Sequence, residues 1–127
     1  MNKALFLSIR VVIAIILLQT LRYKFTGHPD SIYIFTKIGL EPFGRFAIGV
    51  LELFAAILIL VPRTIWIGGL LSIGIISGAI FLHLTQLGIE INNDGGGLFY
   101  MAISIFILSF LVFWNERKKI PIIGSKF

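Results

Sequence analysis

The chain of 127 residues contains no cysteine, and only 13% of its residues are charged. Without cysteine, its own side chains provide no disulfide, no thiolate metal ligand and no thiol redox centre. The charged share is about half of that in an ordinary soluble domain, and it is also too low for a disordered or coiled-coil chain. The 57% share of hydrophobic residues and the mean hydropathy of +1.00 instead predict a small protein that crosses a membrane several times.

Four segments are long and apolar enough to span a bilayer, since a membrane helix needs roughly 20 mostly apolar residues. They are expected at residues 4–22, 46–61, 64–87 and 98–114 of a single domain, residues 1–127. The predicted fold is an all-α transmembrane bundle of four helices. In the first loop, Pro29 is suited to open a short helix and Gly39 to follow its end, so a short interfacial helix is expected there. An irregular loop is the alternative.

The basic residues are distributed unevenly between the two sides of this predicted bundle. The side with both termini and the second turn carries Lys3, Arg10, Arg63, Arg117, Lys118, Lys119 and Lys126. The opposite side carries Arg22, Lys24, Lys37 and Arg45. The positive-inside rule therefore predicts a multi-pass protein of the cytoplasmic (inner) membrane with both termini cytoplasmic. On this interpretation the net charge of +5 attracts anionic lipid and does not indicate a nucleic-acid partner.

Three ionisable residues lie within the predicted spans, where each needs a partner, a wet cavity or an escape to the interface. They are Arg10, Glu52 and His83. From the rise of about 1.5 Å per residue, Glu52 and His83 are each expected roughly 10 Å below the outer side, and Gln19 about 7.5 Å below it. The sequence therefore predicts a polar cluster of Gln19, Glu52 and His83, which are the candidate ligand or proton-relay residues.

Each of these residues also has a structural interpretation. Glu52 is either a proton carrier or ligand contact, or a buried carboxylate held by Arg10, Arg45 or a hydroxyl. His83 either donates to a quinone carbonyl or relays protons, or it packs with a hydrogen bond to the backbone or to Glu52. Arg10 is expected to be structural, reaching the cytoplasmic interface or Glu52. Lys24, Arg45 and Gly49 are further structural or pairing candidates.

The third span carries Gly74 and Gly78 in a GxxxG pattern, which allows close approach of another helix. This span is predicted to pack through these glycines on one flank and to line a polar cavity on the other. In the next loop, Asp94 or a neighbour is expected to cap the fourth span. His83, Glu90 and Asp94 lack a recognised metal-ligand spacing, so no metal site is predicted. No hydrolase or thiol oxidoreductase motif is present, and the catalytic residues stay unknown.

Several motifs in sequence order resemble those of the DoxX-like membrane proteins, which are small bacterial four-helix bundles. Arg10 is followed fourteen residues later by Lys24-Phe25, Gly49-Val-Leu-Glu52 matches a Gly-x-x-Glu pattern, and Gly78-Ala-Ile-Phe-Leu-His83-Leu is also similar. Leu21 departs from the small residue that is usual three positions before the lysine, which affects the expected helix packing at that point. The resemblance implies a link to quinone reduction or to membrane complexes that handle oxidative stress.

Three functions follow as hypotheses. The first is an accessory or quinone-linked component of a membrane redox system, with quinone as the candidate cofactor and a membrane redox protein as the candidate partner. On this hypothesis the chain is not an enzyme alone but serves as a subunit of a quinone-linked oxidoreductase. The second is a small proton-coupled transporter with Glu52 as the coupling carboxylate. The third is a noncatalytic membrane scaffold. The sequence leaves homo-oligomer formation open.

Overall fold

The computed structural model describes residues 1–126, and this part of the chain contains helices and no strand. The helices are α1 (Lys3–Thr26), α2 (Pro29–Lys37), α3 (Phe43–Leu60), α4 (Ile65–Leu82) and α5 (Gly97–Asn115). A π-helical turn, His83–Leu87, continues α4, and two short 3-10 turns, Arg117–Lys119 and Gly124–Lys126, follow α5. Four of the helices, α1, α3, α5 and α4 with its π turn, are long and apolar enough to cross a membrane. The prediction of a four-helix membrane bundle is confirmed.

The short helix expected in the first loop is α2. Pro29 occupies its first turn, where a missing N–H costs no hydrogen bond. The ring of His28 accepts a hydrogen bond from the backbone of Asp30 at 3.1 Å and caps the start. Gly39 follows the last helical residues with a φ of +77°, a conformation that glycine adopts without steric cost. These local features separate α2 from both α1 and α3.

The four long helices form a ring in which each packs on two neighbours. α1 packs on α3, α3 on α4 and α4 on α5, and a smaller contact joins α1 to α5. Ile13, Leu17, Ile59 and Ile105 are buried at the centre of this ring. The chain termini and the α3–α4 turn lie at one end, which we call the termini end. The opposite end, which holds α2 and the loop of residues 88–96, is called the α2 end.

Close helix packing is provided by a different pair of glycines from the predicted one. A Cβ at Gly68 would lie 2.4 Å from the Ile59 nitrogen, and one at Gly69 would lie 3.3 Å from the backbone of Phe113. Gly68 therefore brings α4 against α3, and Gly69 brings it against α5. At Gly74 and Gly78, a Cβ would have no heavy atom of another helix within 4 Å. The prediction that Gly74 and Gly78 pack against a neighbouring helix of the chain is wrong.

Arg10 and Arg45 each bind the C-terminal end of the other's helix. Arg10 is buried in α1 and donates to the carbonyls of Ile59 at 2.9 Å and Leu60 at 2.8 Å, in the last turn of α3. Arg45, in the first turn of α3, donates to the carbonyl of Lys24 near the end of α1. Carbonyls of a last helical turn have no intrahelical donors, and cations complement the helix dipole there. The structural interpretation of Arg10 fits these contacts, but the expected pairing with Glu52 is wrong because Arg10 lies level with the far end of α3.

Candidate ligand-binding site

An internal cavity of about 860 Å³ lies between the four long helices and α2. Its walls are mainly aliphatic, with side chains such as Leu17, Leu51, Leu71 and Ile105. Small-molecule sites in proteins have volumes of roughly 300–1,000 Å³, with mostly apolar walls and a few polar groups. The cavity therefore has the size and the wall chemistry of a site for an amphipathic molecule.

The polar residues of the cavity come from several helices that converge at the α2 end. Those that line the cavity are Thr20, Tyr23 and Lys24 of α1, Asp30 and Ser31 of α2, Glu52 of α3, and His83 at the end of α4. Glu52 and His83 thus face one cavity, as the comparison of their depths predicts. Whether they bind a ligand or carry protons stays a prediction.

Glu52 is held by two residues of α1. Its side chain is 3% exposed, and its Oε1 lies 2.7 Å from the Lys24 ammonium. The hydroxyl of Thr20 is hydrogen-bonded to Oε2. A carboxylate at this depth needs such partners because an unpaired charge is costly away from water. From the sequence, Arg10, Arg45 or a hydroxyl is expected to hold Glu52. The structure provides a hydroxyl, and neither arginine contacts Glu52.

Arg45 binds partners just before α3 and at the end of α1, and not Glu52. Its guanidinium lies 2.8 to 2.9 Å from the carboxylate oxygens of Glu41, four residues earlier. It also binds the carbonyl of Lys24 at the end of α1. Lys24 therefore remains as the cation that neutralises Glu52, and its inward bend leaves its side chain only 17% exposed.

His83 begins the π-helical turn at the end of α4. Its Nδ1 lies 2.9 Å from the carbonyl oxygen of Gly88, which only accepts hydrogen bonds, so Nδ1 carries the proton. The ring also makes an edge contact with Phe99, with centroids 5.4 Å apart. In the neutral ring, Nε2 is then an acceptor. From the sequence, a hydrogen bond from His83 is expected either to the backbone or to Glu52, and the structure has the one to the backbone.

Gln19 does not join this cluster. Its side chain is exposed and contacts the Tyr23 hydroxyl at 3.4 Å. Thr20, the next residue, lines the cavity instead. One position along a helix turns the side chain by about 100°, so depth alone does not decide which side of the helix a residue occupies. The expectation that Gln19 belongs to the polar cluster is wrong.

The depth comparison also missed Thr20, Tyr23 and Ser31. A signal for Thr20 exists in the sequence, because Thr20 and Lys24 are four residues apart and share a helix face. Ser31 is buried on α2 and reaches the cavity only because α2 folds back over the bundle. No pattern within α2 indicates that placement.

Gly49 has a packing role beside the site. A Cβ at this position would lie 2.6 Å from the ring of Phe25. The absence of a side chain therefore allows the ring of Phe25, one residue after Lys24, to lie against α3. Gly49 agrees with its interpretation as a structural residue.

The loop between α4 and α5 closes the α2 end. Asn92 donates to the carboxylate of Asp30 at 2.8 Å and so joins this loop to α2. Asp94 accepts from the backbone of Gly96 at 2.7 Å and of Leu98 at 3.2 Å, so it caps the start of α5 as expected. Burial raises the pKa of Asp94, but hydrogen bonds from Ile91, Gly96, Leu98 and Gly97 outweigh it and hold that pKa below its ordinary value.

The helices and the cavity together define a polytopic four-helix membrane protein with an apolar internal site. The model of the DoxX family matches residues 5–85, well over half of the chain. The chain therefore belongs to the DoxX family. The matched range runs from α1 into the π turn and includes Lys24, Glu52 and His83. Comparisons with curated proteins and with solved structures give no match.

Proposed function

We propose that this chain binds a quinone in its internal cavity, as an accessory component of a redox system in the cytoplasmic membrane. The observation that carries the proposal is the cavity itself, in which aliphatic walls lead to a neutralised ion pair, Lys24 with Glu52, and to His83. A quinone likewise combines an apolar part, its tail, with a polar part, the ring whose carbonyl oxygens accept hydrogen bonds.

The polar groups of the cavity suit both redox forms of such a ring. The Lys24 ammonium has three N–H donors, and Glu52 occupies one direction, so a quinone carbonyl is a suitable second acceptor. A quinol presents hydroxyl groups, for which the Nε2 atom of neutral His83 is an acceptor. A partner redox protein would exchange the electrons, and Glu52 and His83 would hold or accept the protons that accompany them.

The test is quinone binding by the purified protein in detergent, using a benzoquinone with a long alkyl tail. We expect saturable binding by the wild type and a loss of about tenfold in affinity for Glu52→Gln, because Lys24 loses the carboxylate that holds its ammonium at the cavity wall and hydrogen bonds that involve charged groups contribute about 1.5–3 kcal/mol. The His83→Ala variant should bind quinol less tightly as well.

Glu116→Gln is the matched control. Glu116 is another buried glutamate paired with a lysine, Lys119, at 2.7 Å, but it lies at the termini end and does not line the cavity. Its substitution should leave the affinity unchanged. The proposal fails if the wild type binds no more quinone than empty micelles do, or if both glutamine variants lose affinity equally.

A proton-coupled transporter is the second candidate, because the Lys24–Glu52 pair is titratable and faces a cavity. Reconstituted vesicles separate the two functions. Proton movement that depends on an added substrate and disappears in Glu52→Gln would support transport. If Glu52→Gln and His83→Ala bind quinone normally and Glu52→Gln loses only thermal stability, the scaffold hypothesis is favoured.

A further inference from the structure

The wall of the cavity is closed on three sides and open on one. The exposed residues among those that line it are Leu40, Leu51, Ile67, Leu70, Gly74 and Gly78. All of them belong to α3, to α4 or to the segment just before α3. The lining residues of α1, α2 and α5 are buried or half-buried. The cavity therefore communicates with the outside along the seam between α3 and α4.

The seam between α3 and α4 is closed at the termini end and open farther along. At the termini end, Gly68 lies so close to α3 that a Cβ would meet the backbone of Leu58 and Ile59 within 2.8 Å. About one and two-thirds turns farther along α4, Gly74 is exposed and lines the cavity, and a Cβ there would have no heavy atom of another helix within 4 Å. The same holds for Gly78. The two helices are thus in backbone contact at the termini end, and farther along the seam the exposed residues Leu51 of α3 and Gly74 and Gly78 of α4 line the cavity. We call this open part of the seam the gap.

This gap lies on the lipid-facing side of the bundle and not at its polar ends. Leu51, Ile67 and Leu70, which flank it, are exposed aliphatic residues within the membrane-spanning parts of α3 and α4. At the α2 end, by contrast, α2 covers the cavity with Ser31 and Phe35, and the Asp30–Asn92 hydrogen bond joins α2 to the loop of residues 88–96. An apolar molecule dissolved in the bilayer thus meets an apolar opening.

We infer that the α3–α4 seam is a lateral opening through which a tailed quinone passes between the bilayer and the cavity, and that Gly74 and Gly78 keep it open by having no side chain. This inference rests on the proposed function. The ring reaches Lys24 and Glu52, and the tail lies between α3 and α4 beside the two glycines. The site therefore selects quinones that carry a long, slender apolar tail.

The test compares two probes, a benzoquinone with a long alkyl tail and the same ring without a tail, in nanodiscs containing the purified protein. Gly74→Phe and Gly78→Phe place a ring in the gap, where no atom opposes the new Cβ. We expect them to slow the association of the tailed quinone by at least about tenfold, equal to about 1.4 kcal/mol of barrier. Binding of the tailless ring should change little.

Ser77→Phe is the matched control, because Ser77 is an exposed small residue of the same helix that does not line the cavity. It should leave the association of both probes unchanged. If Gly74→Phe and Gly78→Phe bind the tailed quinone as fast as Ser77→Phe does, the lateral opening is refuted while the proposed function stands. If the wild type binds neither probe, the proposed function itself fails.

Discussion

At the scale of single residues, the buried charges of this protein serve two different purposes. Arg10 and Arg45 bind helix ends, where carbonyl groups lack intrahelical donors. Lys24 and Glu52 instead pair with each other on the wall of a cavity. The two arginines donate to backbone carbonyls and do not line the cavity, whereas the Lys24 ammonium lines it and retains donors for a ligand. This difference supports the proposed role of Lys24 and Glu52 at the ligand site.

The two members of that pair are expected to contribute to stability in a non-additive way. Lys24→Met leaves the Glu52 carboxylate buried with only the Thr20 hydroxyl as a partner, and we expect a loss of about 3 kcal/mol in the free energy of unfolding. The double variant Lys24→Met, Glu52→Gln should lose less than the sum of the single variants, because no uncompensated charge remains. Unfolding in mixed micelles measures all four proteins.

Lys37→Met provides the control for this cycle. Lys37 is exposed on α2, and its nearest polar contact is the Tyr33 hydroxyl at 3.4 Å. Its substitution should change the unfolding free energy by no more than about 0.5 kcal/mol. Strictly additive effects of Lys24→Met and Glu52→Gln would show that the two side chains do not stabilise each other.

At the scale of helices, hydropathy and length are sufficient to predict the bundle, since lipid leaves the backbone few alternatives to a helix. Helix rise likewise places Glu52 and His83 at one site. The rotation of each helix about its axis is not predictable from one sequence. Depth alone therefore predicts Gln19 in the polar cluster, whereas Thr20 lines the cavity. Spacing alone predicts helix packing at Gly74 and Gly78, whereas Gly68 makes the close contact. Spacing shows which residues share a face of a helix, but it does not show which neighbouring helix that face contacts.

The same substitution at two glycines of α4 should therefore have opposite effects. Gly68→Ala forces a Cβ within 2.4 Å of the Ile59 nitrogen and must separate α3 from α4, with an expected loss of about 1–3 kcal/mol in unfolding free energy. The new Cβ of Gly74→Ala meets no atom of another helix within 4 Å, so this variant should be neutral or more stable by up to about 1 kcal/mol. Because the helix and the substitution are the same, intrinsic helix propensity cancels in the comparison. Equal losses would contradict the assigned helix contacts.

At the scale of the whole molecule, the positive charge is more asymmetric in the folded chain than in the sequence. Lys3, Arg63, Lys118, Lys119 and Lys126 are exposed at the termini end. At the α2 end, Lys24 and Arg45 turn to partners inside the protein, which leaves Arg22 and Lys37 as the exposed cations. Such a distribution favours anionic lipid at the termini end. It agrees with the proposed orientation, in which the termini are cytoplasmic.

The absence of native cysteine makes this orientation directly measurable, since any introduced thiol is unique. Thr36→Cys places it on exposed α2, and Ser125→Cys places it near the C-terminus. With a membrane-impermeant maleimide applied to intact cells, we expect Thr36→Cys to be labelled and Ser125→Cys to react only after permeabilisation. Both sites should react equally in detergent, which controls for local accessibility. The reverse pattern would put the termini outside, and labelling of both sites in intact cells would indicate two orientations. Either result would overturn the assignment, because the positive-inside rule predicts that the more basic end stays in the cytoplasm.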